Sequence, residues 1–201
     1  MSRLDENLGS VGFDNLIHGN EPSALTGHIK LASGQGTLLR GSVIAMAAAG
    51  GDGILLGSDK SVDVTLEVTT LTATYEKAGL DITKLEVYAE KGETPATITT
   101  DYTAAYENGT LTITLAAAGA LKDETSIRIT CDLTVDAMAK AKYILAEDAA
   151  TGTSEAVVAL AYKTGSFNGN QLTVATGYTM TAANEEELRS LGIFLADAYE
   201  I

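Results

Sequence analysis

The chain has 201 residues, of which 45% are hydrophobic and 20% are charged, and its formal net charge is −14 at pH 7. This composition is too apolar for a disordered protein, and no Lys/Arg cluster is present, so neither nucleic acid nor an anionic membrane surface is an expected partner. We attribute the acidity to solubility. A single cysteine, Cys131, leaves no intramolecular disulfide and suits a reducing cytoplasm, and the acidic N-terminus is not expected to be a signal peptide.

The first 61 residues predict two kinds of structure. Residues 1–24 mix Gly, Asn, Asp and Pro with isolated apolar residues, and they show no periodicity. We expect an extended arm that orders only on a partner. From His28 the pattern favours strands, around Ile29 and Leu31 and again over 38–45, separated by a turn at 33–36. The arm residues expected to contact the partner are Val11, Phe13, Asn15, Leu16 and Ile17.

Residues 62–136 alternate between apolar and polar side chains. Val62, Val64, Leu66 and Val68 begin the pattern, which returns over 85–89, 111–115 and 127–135. Period-two alternation is typical of half-buried antiparallel strands, with threonine on the solvated side. Asn108-Gly109 predicts a two-residue hairpin turn. Five to seven short strands in this stretch predict an immunoglobulin-like β-sandwich.

Three side chains of this middle segment are candidates for chemistry or binding. Cys131 falls on the apolar face of its strand, where an inert buried thiol is expected. Tyr102 and Tyr106 are the aromatic residues expected to be exposed, although cross-strand packing is an alternative role for both.

After residue 136 the chain returns to apolar segments and one helix. Residues 143–146 and 156–162 predict buried strands, and 165–170 predict a turn-rich loop. Thr181 can cap a helix whose first turns carry three glutamates and whose apolar side holds Leu188 and Leu191. Gly192 is expected to end the helix, with an apolar strand or hook at 193–195.

Threonine is distributed unevenly along the chain. Seventeen of the 26 threonines lie in residues 62–136, which hold 13 acidic and five basic residues. Chain of a different composition lies on both sides, so we expect an inserted domain rather than two consecutive ones. The predicted fold is mainly β, an α+β host domain (25–61 plus 137–201) with one C-terminal helix, interrupted by the β-sandwich at 62–136 and preceded by the arm at 1–24.

Several segments of the flanks carry a family resemblance. In order along the chain they are Gly12–Leu16, Ser33–Leu38, Arg40–Val43, Ile144–Asp148, Thr164–Asn168 and Leu188–Phe194. Together they resemble the head decoration proteins of tailed bacteriophages, the lambda-type capsid cement proteins. The resemblance covers about residues 10–60 and 140–195. Members of that family usually join these halves by a short hairpin, so residues 62–136 are outside it.

Motifs of catalysis and metal binding are missing from the sequence. Gly34-Gln35-Gly36 lacks the Lys-Ser/Thr that completes a phosphate loop, and His18 and His28 lack metal-ligand spacing. The three helix glutamates fit helix electrostatics better than a metal site. We therefore expect no enzyme, no catalytic residue, no cofactor and no metal site.

The resemblance implies a structural virion protein. Such a protein is made in the bacterial cytoplasm, binds the major capsid protein on the outside of the expanded head as a homotrimer, and stabilises the shell against DNA pressure. The insert would face outward, either as added bulk or as a weak contact to a host-surface glycan. Two alternatives stay open: a bacterial surface adhesion or glycan-binding module, and a hydrolase with paired carboxylates.

Overall fold

The computed structural model describes residues 15–46 and 51–196, and this part of the chain is mainly β with one α-helix, α1 (Ala182–Ser190). The β-rich class is confirmed. The strands are β1 (Ile17–Gly19), β2 (Leu25–Leu31), β3 (Thr37–Leu38), β4 (Val43–Met46), β5 (Ile54–Leu55), β6 (Ser61–Glu67), β7 (Thr72–Glu76), β8 (Glu86–Ala89), β9 (Tyr102–Glu107), β10 (Thr110–Leu115), β11 (Ser126–Asp132), β12 (Lys140–Leu145), β13 (Ala149–Ala150), β14 (Val157–Asn168) and β15 (Ile193–Ala196).

The helix begins and ends where its local signals predict. Thr181 Oγ1 accepts a hydrogen bond from Asn184 N at 3.3 Å, and Asn184 Oδ1 accepts one from Thr181 N at 3.0 Å, which together form a capping box. Gly192 follows the helix with φ +86°, a conformation that favours glycine. Leu188 is buried in an apolar cluster with Ile144 and Phe167, whereas Leu191 is exposed.

A seven-stranded sheet is built around the long strand β14. Its first half pairs with β2 on one edge and β12 on the other, and the order then continues through β4 to β5. Its second half pairs antiparallel with β1 and parallel with β15. The predicted loop at 165–170 is therefore wrong as far as Asn168, because pairing on both edges keeps this segment extended.

Two clusters of buried apolar residues cover opposite faces of this sheet at different ends. One lies under α1 and includes Ile144, Tyr162 and Phe167, and the other includes Ile29 and Ala159. The register shifts between Tyr162 and Thr164, so a bulge at Lys163 exchanges the faces to which alternate β14 residues point. Each face is consequently covered at one end and open at the other.

The middle segment forms two three-stranded sheets around one core. The orders are β7-β10-β9 and β6-β11-β8, and both sheets contribute to a single apolar cluster that includes Leu111, Ile113 and Ile129. Asn108 and Gly109 join β9 to β10 with φ values of 52° and 83°, which confirms the predicted hairpin turn.

The first and last strands of this middle segment lie side by side. Ser61 at the start of β6 is the antiparallel partner of Asp132 at the end of β11. Leu133 N donates to the carbonyl of Lys60 at 2.8 Å. The chain thus enters and leaves this segment at adjacent points.

Candidate functional site

The residues predicted to form the arm lie at the N-terminal edge of the seven-stranded sheet. Val11 and Phe13 fall outside the described residues. Asn15 is exposed, but Leu16 is only 4% exposed and packs in the cluster under α1. Its carbonyl also accepts a hydrogen bond from Asn168 N at 2.9 Å. Leu16 and Ile17 are therefore part of the sheet, and the predicted arm is too long at its C-terminal end.

Strands β1 and β15 flank the second half of β14. Phe167 on β14 has Ile17 as its partner on one side and Leu195 on the other. The exposed apolar side chains of these two strands are Ile17 on β1 and Phe194 on β15. Residues 1–14 therefore precede the edge strand β1, on which Ile17 is exposed.

The two tyrosines predicted to be exposed contribute to the middle segment's interior. Tyr102 is 3% exposed, and its burial, with a smaller contribution from the Glu86 carboxylate, raises its pKa. The Tyr106 hydroxyl donates to the carbonyl of Lys77 at 2.8 Å and accepts from Leu80 N at 3.3 Å. The expected exposure is wrong for Tyr102, and the Tyr106 hydroxyl already bonds the backbone, because both side chains alternate onto the inner face of β9.

The outer face of the β6-β11-β8 sheet holds an aromatic residue that the sequence analysis missed, Tyr88. Its hydroxyl donates to Glu86 at 2.6 Å, and this hydrogen bond is the main reason that the pKa of Tyr88 is raised. The Cζ atom of Arg128 lies 4.6 Å from the centroid of the Tyr88 ring, and its Nη1 atom lies 3.5 Å from Asp63 Oδ2. Because Arg128 covers one side of the ring, Tyr88 is held in a cross-strand polar network instead of offering a free stacking surface.

Two carboxylates bind backbone N–H groups at the start of β12. Glu187 Oε2 accepts from Ala141 N at 2.9 Å, and Asp59 Oδ2 accepts from Ala139 N at 2.7 Å. Lys140 Nζ lies 3.4 Å from Glu187 Oε1. Glu187 thus anchors the helix to a strand edge, a role that helix electrostatics alone did not predict. A shallow hollow of about 230 Å³ lies alongside, lined by Met46, Lys140, Ala141, Lys142, Glu187, Ser190 and Leu191.

The remaining candidate groups have ordinary structural surroundings. Cys131 is buried, as predicted, and burial is the main cause that raises its pKa to about 11, so little thiolate forms at neutral pH. His18 lies on β1 and His28 on β2, on the solvent side in both cases. Among the described residues, no three His, Cys, Asp or Glu side chains come together as a metal site would require.

Comparison with known protein families, curated proteins and solved structures gives no match for this chain. Within the described residues, no helix has the length and apolar character needed to span a membrane.

Proposed function

We propose that this protein is a capsid decoration protein of a tailed bacteriophage. The observation that carries the proposal is that segments far apart in sequence, each contributing to the family resemblance, bond directly to one another. Gly41 N donates to the Leu145 carbonyl at 2.9 Å, and Arg40 N donates to Asp148 Oδ1 at 2.7 Å. The resemblance therefore follows one contiguous region of the fold rather than scattered surface motifs.

The later segments of the resemblance belong to the same region. Gly165 N donates to the Gly192 carbonyl at 3.0 Å, which joins β14 to the end of α1. Asn168 N donates to Leu16, so the N-terminal motif reaches the same strand.

Residues 62–136 are, in this proposal, a domain inserted into the decoration-protein host (25–61 plus 137–201). Support comes from the separation of the cores: the buried members of the middle cluster all lie between Leu66 and Cys131, and the two host clusters take no residue from that range. The adjacent entry and exit at Ser61 and Asp132 would let such an insertion leave the host sheet intact.

The strand order supports an immunoglobulin-like assignment of the insert. If β7 to β11 are equated with strands B to F, the pairing of β7-β10-β9 is B-E-D, and β8 pairs with β11 as C pairs with F. The first strand, β6, lies beside β11 at the position that strand G holds in that fold. The insert would thus be a six-stranded variant whose first strand completes the second sheet.

The capsid-binding segment in this proposal is residues 1–14, since Leu16 and Ile17 already pack with the seven-stranded sheet. Added to an exposed sheet edge of the major capsid protein, the segment would bury Val11 and Phe13. Ordering roughly seven residues costs about 7–14 kcal/mol. Two buried side chains and some six backbone hydrogen bonds return roughly 6–15 kcal/mol. The net free energy of binding of one arm is then close to zero, so stable binding needs several arms on one homotrimer.

Deletion of residues 1–14 tests this mechanism. The truncated protein should remain a folded trimer by light scattering but should no longer co-sediment with expanded heads, whereas the full chain should. Co-sedimentation by the truncated protein would refute the arm. Failure of the full chain to bind any expanded head would refute the decoration function itself.

A further inference from the structure

We propose that the homotrimer is formed by two different corners of the seven-stranded sheet, one from each of two neighbouring copies. This inference rests on the proposed function for the trimeric state and adds the surfaces that make it. A closed ring of three copies requires heterologous contacts, in which two unlike patches meet at every interface. The bulge in β14 produces two such patches on opposite faces.

The first corner lies on the face that carries the Ile29 and Ala159 cluster, beyond the end of that cluster. Leu25 is paired with Thr164, and Phe194 is paired with Ser166, so these side chains share one face. Leu25 is 61% exposed and Phe194 is 42% exposed. Two large apolar side chains are therefore presented to solvent on neighbouring strands.

The first corner also carries a positive charge. Lys163 lies over Gly27, whose missing side chain leaves the space, since a Cβ there would come within 2.5 Å of Lys163 Cε. Lys163 has no ion pair among the described residues. In a chain of net charge −14, an apolar surface with an unpaired lysine is where a second acidic copy can approach with least repulsion.

The second corner lies on the opposite face of the sheet, at the other end of β14. Val158 and Leu160 are paired with Lys30 and His28, and Val158 is 64% exposed. Glu147 lies at the edge of this corner, where its Oε1 accepts from Leu160 N at 3.3 Å. The second corner thus offers an exposed apolar side chain beside an exposed carboxylate.

The two corners complement one another in apolar character and, through Lys163 and Glu147, in charge. Lys30 lies beside Val158 in the second corner, but its charge is already paired with Asp52 at 3.3 Å. Leu25 and Phe194 of one copy can pack on Val158 of the next, with Lys163 directed to Glu147. Because the two unlike patches belong to the same chain, the contact repeats from copy to copy, and a rotation of 120° at each contact closes it into a ring of three. If a capsid protein covered these surfaces instead, it would need only one of the two corners. Substitutions in either corner would then leave the oligomeric state unchanged.

Light scattering on full-length variants tests the proposal. Leu25→Glu and Val158→Glu should each raise the dissociation constant of the trimer by at least about 30-fold. Leu39→Glu, which changes a leucine that is 55% exposed outside both corners, should leave the trimer unchanged. Circular dichroism would establish that each variant is folded.

A charge exchange provides a second test that does not perturb the apolar contact. Lys163→Glu and Glu147→Lys should each weaken the trimer, and the double variant should recover an affinity close to the wild type. Recovery supports the heterologous contact, and additive weakening overturns it.

The outcomes separate this inference from the decoration function. A wild-type monomer, or corner variants that remain trimeric, would overturn the inference whether or not the protein binds heads. Corner variants that remain trimeric but lose head binding would identify the capsid shell as the occupant. Failure of the wild-type trimer to bind expanded heads would leave the interface in place and overturn the decoration function.

Discussion

The proposed inserted domain predicts that a substitution in the middle cluster destabilises that domain alone, and that a substitution in a cluster of the seven-stranded sheet destabilises the host alone. Ile129 is fully buried in the middle cluster, and Ile144 is fully buried in the host cluster under α1. Replacing either isoleucine by alanine removes three buried carbons and leaves a cavity, which costs about 2–5 kcal/mol.

The expected shift in melting temperature depends on the number of residues in the unit that unfolds. In a unit of 60–100 residues, 1 kcal/mol shifts the melting temperature by about 4–8 °C. A loss of about 3 kcal/mol at Ile129→Ala should therefore lower the insert's transition by roughly 12–24 °C, while the host transition stays in place. Ile144→Ala should lower only the host transition.

Differential scanning calorimetry at a fixed protein concentration measures both transitions in one experiment. The concentration is fixed because dissociation of the proposed trimer would make the host transition depend on it. A single transition in the wild type, displaced equally by Ile129→Ala and Ile144→Ala, would refute the division into two independently stable units.

Three further predictions concern particular groups. Because burial raises the pKa of the Cys131 thiol to about 11, from 9.0 in the unfolded chain, the buried protonated thiol stabilises the fold fully below pH 9. That contribution should be lost progressively as the pH rises from 9 to 11. Urea titrations should show the loss in the wild type and a smaller one in Cys131→Ala, and equal slopes in the two proteins would contradict the assignment. Glu187→Ala should destabilise the host by about 1–3 kcal/mol, because the N–H of Ala141 loses its acceptor, and Glu187→Gln should cost less. If Glu187→Gln destabilised the host as much as Glu187→Ala does, the negative charge of Glu187 rather than its hydrogen bond would be the stabilising feature. Joining Ser61 to Asp132 through Asn-Gly should give a folded host by circular dichroism, since the two residues are already antiparallel partners, and an unfolded product would contradict an inserted domain.

The features that the sequence predicted correctly depend on local signals. Thr181 and Gly192 bound the helix through side-chain capping and a positive φ, which neighbouring residues alone determine. Asn108 and Gly109 likewise determine their hairpin. Cys131 was placed correctly because alternation within one strand is enough to assign its face.

The burial of Tyr102 was also within reach of the sequence. A two-residue turn at Asn108-Gly109 pairs Glu107 with Thr110, and counting outward places Tyr106 opposite Leu111 and Tyr102 opposite Leu115. Both leucines lie on the predicted apolar face, so the tyrosines must lie there too. The exposure prediction failed because strand alternation was not carried across the turn.

The pairing of strands that are far apart in the chain could not be predicted from the sequence. The segment 165–168 is rich in turn-forming residues, and it is extended only because β1 and β15 pair with it from distant parts of the chain. Leu16 is buried for the same reason. The two exposed corners depend on the bulge at Lys163, which no local pattern indicates.

Saturable uptake on phage heads tests the central proposal most directly. The purified full-length chain would be titrated onto expanded and unexpanded heads, and the bound protein quantified after sedimentation. The proposed decoration function predicts binding to expanded heads that saturates at a whole number of trimers for each local three-fold position, with none on unexpanded heads. Absence of uptake, or uptake that rises without saturation on both kinds of head, would contradict it.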